Sequence, residues 1–184
     1  MKKLTLLTTS LSMFVGTIFS GQIQTEKYWK FGLKGGLNQS NIRALDNMGD
    51  KSGYIGTELY GGFVSEYHFD DSNAIQGSTI VSYTQAVTII EIPIYYKYKL
   101  KKDFSIFAGP KLNYIPDPQG NSFYFFPNRL GISADIGVDY QILNNFFVEG
   151  SFSKGFTEQI NQNALEYYNG KRDVLRLGLV YFLK

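Results

Sequence analysis

The chain has 184 residues, 18 Lys and Arg against 16 Asp and Glu, a formal charge of +2, one His and no Cys. Disulfides are excluded, too few soft ligands remain for a transition-metal centre, and no basic run points to nucleic acid. Nineteen Gly, fifteen Phe and fourteen Tyr favour strands, because aromatics suit a pleated sheet and glycine weakens helix interiors.

Residues 1–21, "MKKLTLLTTSLSMFVGTIFSG", carry two lysines, an uncharged apolar run from Leu4 to Phe19, and small residues at Ser20 and Gly21. That is the three-part layout of a secretory signal peptide, and the run is shorter than the roughly 20 residues a spanning helix needs. Cleavage is expected near Ser20 or Gly21. It leaves one mature domain, 22–184, with 16 basic and 16 acidic residues, because Lys2 and Lys3 leave with the leader. Without cysteine, the cleavage site is not a lipoprotein site.

The mature chain alternates with a period of two, the mark of strands with one apolar and one polar face. Trp29, Phe31, Leu33, Gly35 and Leu37 oppose Lys30, Gly32, Lys34, Gly36 and Asn38. Ile55, Thr57, Leu59, Gly61, Phe63, Tyr67 and Phe69 oppose Gly56, Glu58, Tyr60, Gly62, Glu66 and His68. A weaker segment follows, with Ile75, Val81 and Tyr83 on one face. Next, in "VTIIEIPIYYKYKLKK", Ile90, Ile92, Ile94, Tyr96, Tyr98 and Leu100 oppose Glu91, Pro93, Tyr95, Lys97 and Lys99. The pattern returns in "FSIFAGPKLNY" (104–114), "RLGISADIGVDYQ" (129–141), "FFVEGSFSKGF" (146–156) and "DVLRLGLVYFL" (173–183). About eight segments of roughly ten residues match the length of a tilted transmembrane strand.

Tight connections at 70–73, 101–103 and 143–145 alternate with long ones at 41–52, 115–128 and 157–170. Short periplasmic turns and long outer loops are the habit of outer-membrane barrels. "TQA" (84–86) departs from it, being an outer connection as short as a turn.

Which face meets the surroundings decides the class. The polar parity carries Gly32, Gly36, Gly56, Gly62, Gly109, Gly131, Gly137 and Gly178. Glycine has no packing role on a watery surface, but in a narrow lumen it makes room for side chains opposite. The apolar parity places Trp29, Tyr67, Tyr98, Tyr114, Tyr140 and Tyr181 near segment ends, as interfacial girdles require. The expected fold is therefore a single all-β antiparallel up-and-down transmembrane barrel of about eight strands, oily side outward into outer-membrane lipid. A soluble exported lipocalin-like barrel is the alternative, with the same parities reversed.

The last segment, "RLGLVYFLK", has Arg176, then Gly178, then Leu179, Tyr181 and Leu183 at alternate positions. It resembles the terminal-strand signal read by the outer-membrane assembly machinery, although it ends on Lys184 rather than an aromatic residue.

"FGLKGGLNQSNI", "EIPIYYKYKL" followed by "FAGPKLNY", and "GISADIGVDYQI" together resemble the PorT-like outer-membrane β-barrel family. Glu91, Ile92 and Pro93, then Gly109 and Pro110, are the best matches. The resemblance implies a small outer-membrane barrel, and its founding member is tied to a protein secretion system. Strand motifs do not carry that role over.

Catalytic chemistry is not expected. His68 is the sole histidine and precedes the "DDSN" turn at the periplasmic end, away from the outer rim where a barrel hydrolase needs it. No cofactor or metal site is read: "GLKGGL" sits inside a strand and opens no helix, and Asp70 and Asp71 lack Ca²⁺-ligand spacing. The inward charges Lys34, Glu58, Glu91, Lys97, Lys111, Asp135, Glu149 and Arg176 are expected to pair across the lumen, since unpaired burial is prohibitive. Glu91 and Lys111 are the first pair expected, with Glu58 and Arg176 joining the same network; Tyr60 and Tyr95 fill more space. Phe123, Tyr124, Phe125 and Phe126, in the long connection at 115–128, either pack over the barrel mouth or bilayer interface or contact a partner. Two functions stay open: a structural, interaction or secretion-associated platform working through its outer loops with an envelope partner, or a small pore or ligand conduit.

Overall fold

Alternation with a period of two runs along every long strand, so the sheet they form has one charged face and one oily face. In the computed structural model, which describes residues 27–46, 48–83, 88–116, 128–162 and 167–183, the strands are β1 (Tyr28–Leu45), β2 (Lys51–His68), β3 (Asn73–Tyr83), β4 (Thr88–Lys101), β5 (Phe104–Tyr114), β6 (Leu130–Leu143), β7 (Phe146–Gly155), β8 (Ile160–Gln162) and β9 (Tyr167–Phe182). Each of β1 to β6 pairs antiparallel with the next, and β7 pairs with β9. β9 returns to β1, from Gly32 opposite Phe182 to Arg43 opposite Lys171. The eight long strands therefore close into a barrel with no free edge along its wall, the only way a sheet satisfies its backbone in lipid. The three-residue β8 attaches to the far end of β9.

The oily parity faces outward. Phe63, Ile136 and Leu177 are 71%, 63% and 61% exposed, whereas Asn38, Glu91 and Glu149 on the other parity are 0% exposed. A soluble barrel has the opposite arrangement. The tight turns after β2, β4 and β6 lie at one end, where Trp29 packs on Tyr67 and Phe146 on Tyr181, each at 4.9 Å. These outward aromatic pairs form a girdle at that interface. In the β2–β3 turn, Asp70 accepts from the backbone N–H groups of Ser72 and Asn73, both at 2.8 Å, and from the Asn73 amide. Burial pushes the Asp70 carboxyl up, but these bonds outweigh it and hold it below the ordinary carboxylate range.

The ladders are interrupted where proline has no N–H to donate. Pairing between β3 and β4 skips from Gly77–Ile94 to Ile80–Glu91, around Pro93.

Two expected outer loops are largely strand. Asn41 to Leu45 pairs with β2 down to Lys51, leaving only a short turn in which the N–H groups of Met48 and Asp50 bond Asp46 Oδ1, both at 2.9 Å. Gly49 closes that turn at φ 84°, a conformation natural only to glycine. In the expected loop 157–170, β8 pairs with the start of β9. Beyond the bilayer a ladder needs hydrogen-bond partners but no oily alternation, so these extensions carry little periodicity. The leader, "TQA" and Phe123 to Phe126 lie outside the described residues.

Candidate functional site

Because strand residues of one parity share a face, closing the barrel brings inward charges from distant parts of the chain together. Among the described residues, five buried cations (Lys34, Lys97, Lys111, Arg172, Arg176) meet six buried carboxylates (Glu58, Glu66, Glu91, Asp135, Asp139, Glu149) in the lumen.

Glu91 on β4 is the hub of the half away from the tight turns. Its Oε2 accepts from Arg176 Nη2 at 2.6 Å and pairs with Lys111 Nζ at 3.2 Å. Its Oε1 accepts from Arg172 Nη1 at 3.2 Å and from Ser82 Oγ at 3.0 Å. Arg172 also donates to Glu58, which accepts from Ser40 and, at 3.3 Å, from Asn38. Arg176 Nε donates to Asn38 Oδ1 at 2.8 Å, and Asn38 donates to Ser82 at 2.9 Å. Lys111 pairs with Asp135 at 3.3 Å, and the Tyr95 hydroxyl donates to the same carboxylate. The Glu58–Arg176 link thus runs through Arg172, Asn38 and Glu91 rather than directly.

Lower in the barrel, Lys34 on β1 binds Glu149 on β7 at 2.6 Å. Toward the tight turns Lys97 bridges Glu66 at 2.8 Å and Asp139 at 2.7 Å, while His68 Nε2 lies 2.6 Å from Glu66. The His68 ring stacks on Tyr28 at 4.4 Å, at a strand end. Beside this set lies the apolar cluster of Val64, Val180 and Phe182 with Phe147 against it. Polar groups from all eight long strands enter these bonds.

Glycine gives the large side chains their room. Gly36 and Gly178 face each other across β1 and β9, and a Cβ on Gly178 would collide with the Tyr60 hydroxyl. The Arg176 guanidinium covers the Tyr60 ring at 4.4 Å, a cation–π contact. A Cβ on Gly137 would strike Phe107, whose ring stacks on Tyr95 at 4.7 Å.

Reading the last strand as starting at Asp173 left out Arg172. It lies four residues before Arg176 on the same parity, so that parity, carried one step into the presumed loop, is the signal that finds it. Glu66 and Asp139 were on the inward parity, but nothing in the sequence singled them out.

The fold is that of small outer-membrane barrels. Ail, the attachment invasion locus protein of Yersinia pestis, solved in complex with the heparin analogue sucrose octasulfate, superposes with a TM-score of 0.51 at 13% identity, over 84% of this chain and 99% of that one. Neisserial surface protein A gives 0.48 at 11% identity, over 82% of this chain and 96% of its own. OprG from Pseudomonas aeruginosa gives 0.44 at 15% identity, over 88% and 99%. No protein-family model matches the chain, and no curated protein matches it. With its oily exterior and closed antiparallel wall, the protein is a transmembrane β-barrel of the bacterial outer membrane.

Proposed function

We propose that the barrel is a non-enzymatic platform that works through its extracellular hairpins, its lumen serving as a closed internal frame. The observation that carries this reading is the network centred on Glu91, which crosses the lumen from β4 to β5 and β9; on this reading it stands in the way of a continuous water path. An eight-strand barrel is just wide enough for side chains to fill it, which supports the platform over the conduit. The exposed working surface includes Met48, 90% exposed at the β1–β2 turn, and Phe156, 56% exposed just past β7. Phe123, Tyr124, Phe125 and Phe126 belong to the same proposed surface through their place in the β5–β6 connection.

Two finer assignments accompany this one. The leader 1–21 directs export, and the assembly machinery reads the last strand, whose Leu177, Leu179 and Tyr181 present an outward apolar row. Membership of the PorT-like family rests on Glu91-Ile92-Pro93 and Gly109-Pro110, and with it goes an envelope or secretion-system partner. Photo-crosslinking in intact cells of the native host tests the platform. A crosslinker at Met48 or Phe156 is expected to yield a discrete protein adduct absent when it stands at Asn144 in a tight turn. Adducts only from Asn144, or none from the outer positions, contradict the reading.

A further inference from the structure

The outward faces of β7, β9 and β1 are apolar up to Phe152, Leu175 and Leu37, which are 44%, 57% and 51% exposed. Past that level, on the side away from the tight turns, the same faces carry a polar and cationic tier, with Lys154 on β7, Asp173 and Lys171 on β9, and Gln39, Asn41 and Arg43 on β1, before exposed Phe156 and Leu45 follow. Arg43 donates from Nε and Nη2 to the two Asp173 oxygens, at 2.5 and 3.0 Å, and Lys154 reaches the same carboxylate at 3.2 Å. Asp173 is held in turn by the Gly155 N–H at 3.0 Å.

Lys171 stands directly opposite Arg43 in the β1–β9 register, and residues so opposed share a face. Like charges in that relation destabilise a strand pair. Asp173 is a single carboxylate among three cations, and among the described residues the Lys171 side chain has no ion pair or hydrogen bond. The Arg43 and Lys154 side chains remain 41% and 46% exposed. A patch with two positive charges in excess, preorganised by a buried carboxylate and opening sideways, calls for an anion from outside the barrel.

Its depth identifies which anion. On β7, β9 and β1 the patch is the first polar tier past Phe152, Leu175 and Leu37. Resting on the proposed reading that the side away from the tight turns is extracellular, it is assigned to the level of outer-leaflet headgroups. In this membrane those headgroups belong to phosphorylated glycolipids. With Nε and Nη2 engaged by Asp173 and Nη2 also by the Gly155 carbonyl at 3.2 Å, Arg43 offers its Nη1 N–H groups to a phosphate oxygen, and the lysines add point charges; basic pockets at a bilayer surface select anionic headgroups. We propose that Arg43, Lys154 and Lys171 bind the phosphate of an outer-leaflet glycolipid, with Asp173 as the positioning residue that aims Arg43 and Lys154.

The test is native mass spectrometry of the full mature barrel in neutral detergent, titrated with diphosphorylated lipid A. Wild type is expected to retain the lipid, and Arg43→Gln/Lys154→Gln/Lys171→Gln to lose affinity by about a hundredfold. Lys171→Gln alone removes a side chain with no partner among the described residues, so it keeps the barrel intact and is expected to weaken retention about fivefold. Lys102→Gln, in a tight turn at the opposite end, leaves retention unchanged. The proposal is overturned if Lys171→Gln and the triple variant hold lipid A as wild type does, or if Lys102→Gln loses as much. It is also overturned if fully dephosphorylated lipid A binds equally well, or if equimolar inorganic phosphate displaces lipid A.

Discussion

The two halves of the lumen are filled by different means. Away from the tight turns, Glu91, Glu58 and Asp135 share Arg172, Arg176 and Lys111 in one network spanning the barrel. Toward the tight turns a smaller set, Lys97 with Glu66 and Asp139, sits beside Val64, Val180, Phe182 and Phe147, with the Lys97 ammonium 5.3 Å from the Phe147 ring centre. In the first half the charges are linked through Glu91, which pairs with three cations and is, among the described residues, the one ion-pair partner of Arg176; in the second, apolar contact shares the filling. Breaking a buried network by removing one member strands the remaining charges, whereas loss of one of two acceptors leaves its cation paired.

The comparison is broken most severely by Glu91→Ala. Three cations lose their common carboxylate, and urea unfolding of the refolded barrel is expected to show a loss of about 3–5 kcal/mol. Next comes a substitution on the outside of the same wall. Ile136→Arg puts a charge into the lipid belt and is expected to cost roughly 2–4 kcal/mol in the same assay if it lies near the midplane, while Ser133→Arg, inward on the same strand, fails only through crowding. Glu66→Ala sharpens the contrast between the halves. Lys97 keeps Asp139 at 2.7 Å, so the loss is expected to be smaller than for Glu91, about 1–3 kcal/mol. Equal losses at Glu66 and Glu91 would erase the distinction.

The smallest effect lies outside the wall. Asp70 has its carboxyl held down by Ser72 and Asn73. A carboxylate whose folded pKa is depressed stabilises above its unfolded value near 3.9 and loses that contribution as pH falls through the folded value. Asp70→Ala is therefore expected to cost about 1 kcal/mol at neutral pH, with the difference from wild type shrinking below about pH 4. A difference that stays unchanged as the pH is lowered below about 4 contradicts the turn geometry.

Much of this was readable in the residues, because a single rule governs a closed membrane sheet. Ile132, Ile136 and Val138 against Ser133, Asp135 and Gly137 already state which side meets lipid, and the outward exposure follows that parity. Parity also places Glu91 and Lys111 in one lumen. It says little about height, which depends on strand stagger, so the route from Glu58 through Arg172 to Glu91 emerged only with the register. Strand ends were hidden for a related reason. Asn41 to Leu45 and Tyr167 to Arg172 extend past the oily belt, where ladder bonds hold a strand without any alternation to announce it. Arg43 and Lys171 of the patch around Asp173 lie in those extensions and were hidden for the same reason.

The central claim is that the charge network closes the lumen and leaves the outer hairpins as the working surface. Planar-bilayer recording of the refolded mature barrel tests it most directly, with Glu91→Ala alongside. Wild type is expected to show no stable unitary conductance at neutral pH, and any openings are expected only in the variant that dismantles the hub. Stable, reproducible unitary currents from the wild-type barrel would contradict the account and make it a pore.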